Sequence, residues 1–245
     1  MPVLEADDPL AVAVTTAIRA GDLPELRRLL DAHPGLAATR IVRRGPAAGE
    51  RSLLHVATDW PGHHPDTAEV IRTLVAAGAD PAARFVGAHE ETPLHWAASN
   101  DDVTALDALL AAGADIEAPG GVIGGGTPLA DARGFGQWRA ARRLLAHGAR
   151  TDLHDAATLG LLDRVTALLA ASPQPEGEIT SAFWGACHGG QLSTAQYLLS
   201  QGADVNWIGY DDLTPLDIAL TSTNTRLTGW LRDRGALTRA EIPPS

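Results

Sequence analysis

Cysteine and histidine are the residues of this sequence whose side chains could carry chemistry. Cys187 is followed directly by His188, which places a nucleophile next to a base in the sequence. Adjacent residues of a helix do not face each other, so a helical setting would keep the two side chains apart. A cysteine buried between helices is also normally inert. We therefore predict no cysteine catalysis.

The nine histidines lack the spacing of a metal site. No HExxH, CxxC or facial-triad pattern occurs, and the remaining clusters are His63 with His64, and His89 with Glu90 and Glu91. The sequence also has no Walker, dinucleotide-binding or Gly-x-Ser-x-Gly motif. We predict no metal and no cofactor. An enzymatic activity is left open but is not favoured.

The composition indicates an all-α protein. Of the 245 residues, 45% are apolar and 4% aromatic, and Leu and Ala carry most of the apolar share, which suits close helix packing. The net charge of -11 opposes nucleic-acid binding. No apolar run approaches the roughly 18 residues of a membrane span, and the acidic N-terminus does not resemble a signal peptide. With a single cysteine, we expect a soluble cytoplasmic protein with no nucleic-acid or membrane partner.

Three segments of the chain share one pattern. They begin at Thr92, Thr127 and Thr214 and read TPLHWAA, TPLADA and TPLDIA, and a weaker copy, SLLHVA, begins at Ser52. A Gly-Ala pair follows each of the three threonines after 21 residues. Threonine can cap a first helix, proline suits its first position, and glycine can end a second helix. The pattern therefore predicts helix–turn–helix units.

This pattern resembles the T-P-L-H-x-A signature of ankyrin repeats. The resemblance implies an all-α ankyrin-repeat solenoid of about seven helix–turn–helix units with irregular fingers. Its units would start near residues 12, 52, 92, 127, 151, 181 and 214 and span residues 12–236, with an N-terminal extension (1–11) and a C-terminal tail (237–245). The Lys-free composition, rich in Ala, Arg and Asp, looks like that of a high-GC bacterial protein.

The repeat units depart from the 33-residue ankyrin spacing in three ways. The connecting segments 37–51, 82–91 and 117–126 are lengthened. Residues 120–126 are almost all glycine, which we interpret as a mobile or tightly curved finger, the alternative being a loop that packs on a ligand. No finger separates the units at Arg150, which predicts a division of the chain into two halves. The turn at residues 59–65 carries five extra residues and either packs its tryptophan on a neighbouring unit or exposes it.

The resemblance also implies roles for individual rings. Three histidines in the fourth position of the motif are expected to form hydrogen bonds between units: His55, His95 and His154. Trp96 is expected in the core, and Trp184 is expected to pack between units in place of the histidine. Trp138 and Trp230 are expected to seal the outer face.

The leading functional hypothesis is a protein-interaction module that binds a protein partner on the concave face and the fingers, since ankyrin proteins usually bind partners there. Tryptophan and tyrosine are typical anchors of binding sites. The candidate binding residues are Asp59, Trp60, His63, Arg84, His89, Glu91, Phe135, His188, Trp207, Tyr210 and Asp211. The alternatives are a small-molecule-binding protein or enzyme with a pocket in the concavity, and a structural adaptor without a site.

Overall fold

The computed structural model describes residues 3–45, 48–175, 177–222 and 224–243, and α-helices dominate them. The helices of these ranges are α1 (Pro9–Ala20), α2 (Leu23–Ala32), α3 (Leu53–Thr58), α4 (Thr67–Ala76), α5 (Pro93–Ser99), α6 (Val103–Ala111), α7 (Pro128–Gly134), α8 (Trp138–Ala146), α9 (Leu153–Thr158), α10 (Leu162–Ala171), α11 (Glu178–His188), α12 (Leu192–Ser200), α13 (Pro215–Leu220) and α14 (Thr225–Asp233). Consecutive helices pack in pairs, from α1 with α2 to α13 with α14. The predicted all-α class is confirmed.

The helix pairs belong to two compact halves, Met1–Ala149 and Arg150–Ser245. In the N-terminal half, the first helices of successive pairs pack side by side (α1, α3, α5 and α7), and α2, α4, α6 and α8 do the same. In the C-terminal half, α11 packs against both α9 and α13. The boundary lies in the connection between α8 and α9, where the sequence lacks a finger.

The capping chemistry of the motif determines where the first helices begin. The Thr127 hydroxyl accepts a hydrogen bond from the N–H of Ala130 at 3.4 Å. At α3, α5 and α13, the third helical residue accepts a bond in return from the N–H of the capping residue. These pairs are Ser52 with His55, Thr92 with His95, and Thr214 with Asp217.

Helix α9 begins one residue later than its alignment with the motif predicts. Asp152 rather than Thr151 caps it, accepting a hydrogen bond from the N–H of Asp155 at 2.6 Å. Aspartate is at least as good a cap as threonine, so the start of the helix moves to it. Asp155 therefore completes the capping pair with Asp152, as His55 and His95 do with their own caps. His154 still bonds to the next helix pair, through the Ser181 hydroxyl at 3.2 Å.

A three-stranded sheet, which the sequence did not predict, lies in the N-terminal half. Strand β1 (Val3–Glu5) pairs in parallel with β2 (Arg40–Arg43), and β2 pairs in antiparallel fashion with β3 (Gly49–Ser52). Ile41, in the middle of β2, is buried. The lengthened connection at residues 37–51 thus contains a β-hairpin that joins the N-terminal segment to the helices.

The predicted extension and tail both add to the helical units. Helix α1 starts at Pro9, ahead of residue 12, because the Asp8 carboxylate accepts a hydrogen bond from the N–H of Leu10 at 2.8 Å. At the other end, Arg239–Glu241 forms a 3-10 turn. Its first N–H donates to the Asp217 carboxylate at 2.7 Å, which ties the tail to α13.

Small residues allow the first helices to approach closely in the C-terminal half. A Cβ atom on Gly185 would lie 2.6 Å from the ring of His154. One on Gly189 would lie 1.8 Å from the backbone oxygen of Thr158, at the end of α9. Both distances are below van der Waals contact, so the packing of α11 on α9 requires glycine at these positions.

We expect Gly189→Ala to destabilise the C-terminal half by about 1–3 kcal/mol or more, because the added methyl group overlaps a backbone oxygen. Gly189 has an ordinary φ of -74°, so the effect is steric. Gly229→Ala in α14 is the matched control, since its Cβ would meet open space. It should stabilise by up to about 1 kcal/mol through helix propensity. Urea unfolding measures both, and equal stability of the two variants would contradict this packing.

Candidate functional site

A ring N–H at the fourth position of the motif bonds to the connecting segment of the next helix pair in three places. The donor and the accepting carbonyl are His55 Nε2 with Glu91 (3.1 Å), His95 Nε2 with Gly126 (3.1 Å) and Trp184 Nε1 with Leu213 (3.0 Å). Each carbonyl belongs to the residue just before the cap of the next first helix. Trp184 thus makes the bond of the histidine it replaces, which confirms its predicted position between units.

Both of these histidines are neutral with the proton on Nε2. The N–H of Ser52 donates to Nδ1 of His55 at 3.3 Å, and the N–H of Thr92 donates to Nδ1 of His95 at 3.1 Å. A nitrogen that accepts a hydrogen bond carries no proton, so Nε2 must be the donor. Burial lowers the pKa of His55 to about 3 and that of His95 to about 4.

Aromatic rings cover the bond made by His55. The ring of Trp96 lies edge-on to His55 at 4.9 Å, and it is tilted against Phe85 at 5.4 Å. Phe85 fits closely between two glycines, since a Cβ on Gly49 or Gly87 would lie 2.3 or 2.2 Å from its ring. Trp96 is half-buried in this cluster and does not belong to the buried core, contrary to its predicted position.

The glycine-rich finger folds tightly over one buried carboxylate. Asp131 of α7 is fully buried and accepts hydrogen bonds from the N–H groups of Ile123 at 2.8 Å and Val122 at 3.3 Å. Two backbone bonds of 2.9 Å join residues 120–121 to residues 125–126 across the finger. The sequence allowed a mobile finger, a tightly curved finger or a loop that packs on a ligand. The structure shows a tightly curved finger.

Three predicted site residues, Arg84, His89 and Glu91, surround this finger. The Arg84 guanidinium donates a hydrogen bond to the carbonyl of Pro119, where the finger begins. Burial raises the pKa of both Glu91 and Asp131, and the charge of Asp131 raises the pKa of Glu91 further. Asp131, which sequence reasoning missed, is the buried centre of this group.

Trp60 is the most exposed large apolar side chain of the described ranges, at 79%. Its backbone N–H donates to Oδ1 of Asp59 at 3.0 Å. Oδ2 of Asp59 accepts from Arg19, at the end of α1, and from Arg51, in β3, both at 2.6 Å. Three elements thus converge on Asp59, and the neighbouring indole projects outward instead of packing on the next helix pair.

His63 fastens the long turn to the next helix pair. It adopts a left-handed φ of 54°, its N–H donates to the Asp102 carboxylate at 2.7 Å, and its Nε2 lies 3.0 Å from the carbonyl of Asn100. Asp102 is buried and also caps α6. A cavity of ≈ 400 Å³ lies beside His63, between residues 63–72 and Asp102. The other candidate binding residues do not line it.

Two candidate residues of the C-terminal half, Trp207 and Tyr210, pack in one cluster with Trp184. The Tyr210 ring lies edge-on at 5.1 Å from Trp184 and 5.8 Å from Trp207. Its hydroxyl lies 3.0 Å from Oγ of Ser181, which sequence reasoning missed. The ring of His188 lies 5.5 Å from the ring of Trp184. The cluster is half-open to solvent, since Tyr210 is 49% exposed.

The remaining candidate residues lie at exposed ends of their elements. Asp211 is exposed next to Tyr210 and adopts a left-handed φ of 55°. Phe135 is 45% exposed at the end of α7. Within the N-terminal half, the candidates therefore lie on the turn at residues 59–65, beside the glycine-rich finger and at the end of α7.

The structure gives no support for cysteine chemistry at Cys187. The thiol is buried, and burial raises its pKa, so it stays protonated at neutral pH. Within the described residues, no three His, Cys, Asp or Glu side chains are grouped so that they could hold a metal ion. No helix of that part of the chain has both the length and the apolar character needed to cross a membrane.

The ankyrin-repeat family model matches residues 89–120 and 181–209, one segment in each half. These segments are ankyrin repeats. No curated protein matches the chain. Among solved structures, the human ASB11 ankyrin repeat domain is similar with a TM-score of 0.50 and 20% identity, over 95% of this chain and 99% of that one. The fold is therefore that of an ankyrin-repeat domain, and ankyrin repeats are generally protein–protein interaction modules.

The buried histidines His55 and His95 should make the N-terminal half sensitive to acid. Their pKa values are lower in the folded chain than the ordinary 6.5, so their contribution is complete above about pH 6.5 and is lost as the pH falls toward 4 and then 3. We expect His95→Gln to reduce the difference in unfolding free energy between about pH 7 and about pH 5 by roughly 2 kcal/mol. Urea unfolding at the two pH values measures this.

Trp184→Phe is the matched control, because it removes the same bond from an ankyrin repeat without removing a titratable group. It should lower stability equally at both pH values. If His95→Gln keeps the pH dependence of the unchanged chain, the assignment of a buried neutral ring to His95 is wrong.

Proposed function

We propose that this chain is a protein-interaction module and that Trp60 anchors its partner. All seven helix pairs, over residues 12–236, would act as ankyrin repeats that present the fingers and the ends of the first helices to the partner. We further propose a cytoplasmic location, since the lone cysteine cannot form an internal disulfide, and a bacterial origin, in keeping with the Lys-free composition.

The observation that carries this proposal is a large exposed ring on a fixed backbone. The indole of Trp60 is 79% exposed, although burying it would gain free energy. Asp59 is bonded to two arginines and to the backbone N–H of Trp60, and it thereby holds the backbone that carries the ring. An anchor that is ordered before binding loses little conformational entropy on binding, which favours affinity.

The other candidate residues would add smaller contacts to this anchor. Phe135 offers a half-exposed ring in the N-terminal half, and Tyr210 offers another in the C-terminal half. Trp207 and His188 belong to the ring cluster around Tyr210, and Asp211 follows Tyr210 in the chain. Arg84, His89 and Glu91 would contribute charge beside the glycine-rich finger. The rival function, a small-molecule pocket, gains less support, because the cavity of ≈ 400 Å³ contains His63 alone of the candidate residues.

Trp60→Ala tests the proposal directly. The variant should keep its Tm within a few degrees, since exposed substitutions usually change stability by under about 0.5 kcal/mol. Its affinity for the native partner should fall by roughly tenfold or more, the loss of a true anchor. Affinity capture from the native cell with quantitative mass spectrometry identifies the partner, and titration of the purified partner gives the Kd.

Val12→Ala is the matched control, because Val12 is also an exposed apolar residue, 50% exposed, and lies within α1 rather than at its end or on a finger. It should bind the partner as the unchanged chain does. Capture of the same partner by Trp60→Ala with unchanged Kd would refute the anchor. A large loss of stability in Trp60→Ala would show instead that the ring supports the fold.

A further inference from the structure

Positive charge surrounds the base of the exposed tryptophan. Arg19 and Arg51 bind the carboxylate of Asp59, and Arg43 lies near Arg51. We call these three arginines, together with Trp60, the Arg–Trp surface. Arg19 and Arg51 both bond to Oδ2 of Asp59. Arg43, in β2, is close enough for its charge to act on Arg51. Two guanidinium groups thus share one carboxylate, and a third lies near one of them.

Asp59 pairs with only part of the Arg51 guanidinium, so the positive charge of the Arg–Trp surface is not fully compensated. Burial lowers the pKa of Arg51, and the charges of Arg43 and Arg19 lower it further, whereas Asp59 raises it. Its Nε is buried without a hydrogen-bond acceptor among the described residues. Arg43 is exposed, and its side chain has no hydrogen bond or ion pair with any residue that the structure describes. An anion from outside could therefore be attracted here.

The rest of the molecule has the opposite charge. The chain carries 30 acidic and 19 basic residues, for a net charge of -11. A long polyanion such as a nucleic acid would extend from this surface onto acidic surroundings and be repelled. A short anionic segment would contact the arginines alone. The exposed indole of Trp60 adds an apolar contact next to them.

We propose that the Arg–Trp surface binds an acidic segment of a partner protein, with its anionic groups facing Arg19, Arg43 and Arg51 and an apolar side chain against Trp60. This inference rests on the proposed function and names the chemistry of the partner. Guanidinium groups bind both carboxylate and phosphate through paired hydrogen bonds. The anionic groups are therefore glutamate or aspartate side chains, or phosphorylated ones.

The test uses three short capped peptides with a fluorescent label. In the first, glutamates flank one leucine; in the second, glutamines replace the glutamates; in the third, phosphoserines replace them. Fluorescence anisotropy with the full chain gives each Kd. We expect the glutamate or the phosphoserine peptide to bind at least about tenfold more tightly than the glutamine peptide, and added salt to reduce that difference. The tighter of the two anionic peptides identifies the source of the charge.

Arg43→Gln removes one charge from the surface without breaking a described contact of its side chain, so it should weaken anionic-peptide binding about threefold or more and leave the Tm unchanged. Arg139→Gln is the matched control, because it removes an exposed arginine from α8. It should leave the Kd unchanged. Equal losses in both variants would show attraction by net charge alone and would overturn the proposal.

Equal binding of the glutamine and anionic peptides, or no binding of any peptide, would also overturn it. The outcome is separable from that of the proposed function. If the peptides fail but Trp60→Ala still loses the native partner, the module is an interaction module whose partner is not acidic. If the peptides bind as expected but Trp60→Ala keeps its partner, the Arg–Trp surface does bind acidic segments and the anchor for the native partner is elsewhere.

Discussion

The hydrogen bond from a buried ring N–H to the carbonyl before the next helix cap connects consecutive helix pairs of this protein. It occurs at His55, His95 and Trp184, and in each case the acceptor is the last carbonyl of a connecting segment. Because an unpaired buried carbonyl would be costly, the bond fixes where that segment ends and where the next helix begins. An imidazole and an indole can both make this bond, since it needs only a planar ring with one N–H at the right position.

A second row of bonds connects the opposite ends of the first helices. The amide of Asn100 donates to the carbonyl of Thr58 at 2.8 Å, and the amide of Gln137 donates to that of Ser99 at 2.9 Å. In the N-terminal half, α5 is thus held near both ends to the helix pair before it and to the one after it. The turn that carries Trp60 starts at one of these fixed ends, directly after Thr58. This explains how an exposed ring is kept on a fixed backbone.

The sequence predicts the helix pairs well, because capping is a local interaction between residues a few positions apart. Thr92, Thr127 and Thr214 therefore begin helices where the motif places them. The sheet could not be predicted, since β1 and β2 are short and lie far apart in the sequence. The shift of α9 was missed because Thr151 and Asp152 are both good caps, and only the packed structure decides between them.

The candidate site could be predicted in part. Trp60 is noticeable in the sequence as an aromatic residue in a turn with proline and glycine. Its environment is not, because Arg19 reaches Asp59 from 40 positions away and no local pattern announces that contact. Asp131 gives only a weak signal in the sequence, a carboxylate between two alanines of a first helix. Its role depends on the finger that closes over it, which lies outside that helix.

The central claim is that neutral, buried rings with the proton on Nε2 join the helix pairs. The most direct measurement is ¹⁵N NMR of the histidine rings across an acid titration. The account predicts that His55 and His95 show a protonated Nε2 and an unprotonated Nδ1 at neutral pH, and that both stay neutral well below pH 6.5 for as long as the chain is folded. A proton on Nδ1, or titration of either ring near pH 6.5 in the folded chain, would contradict it.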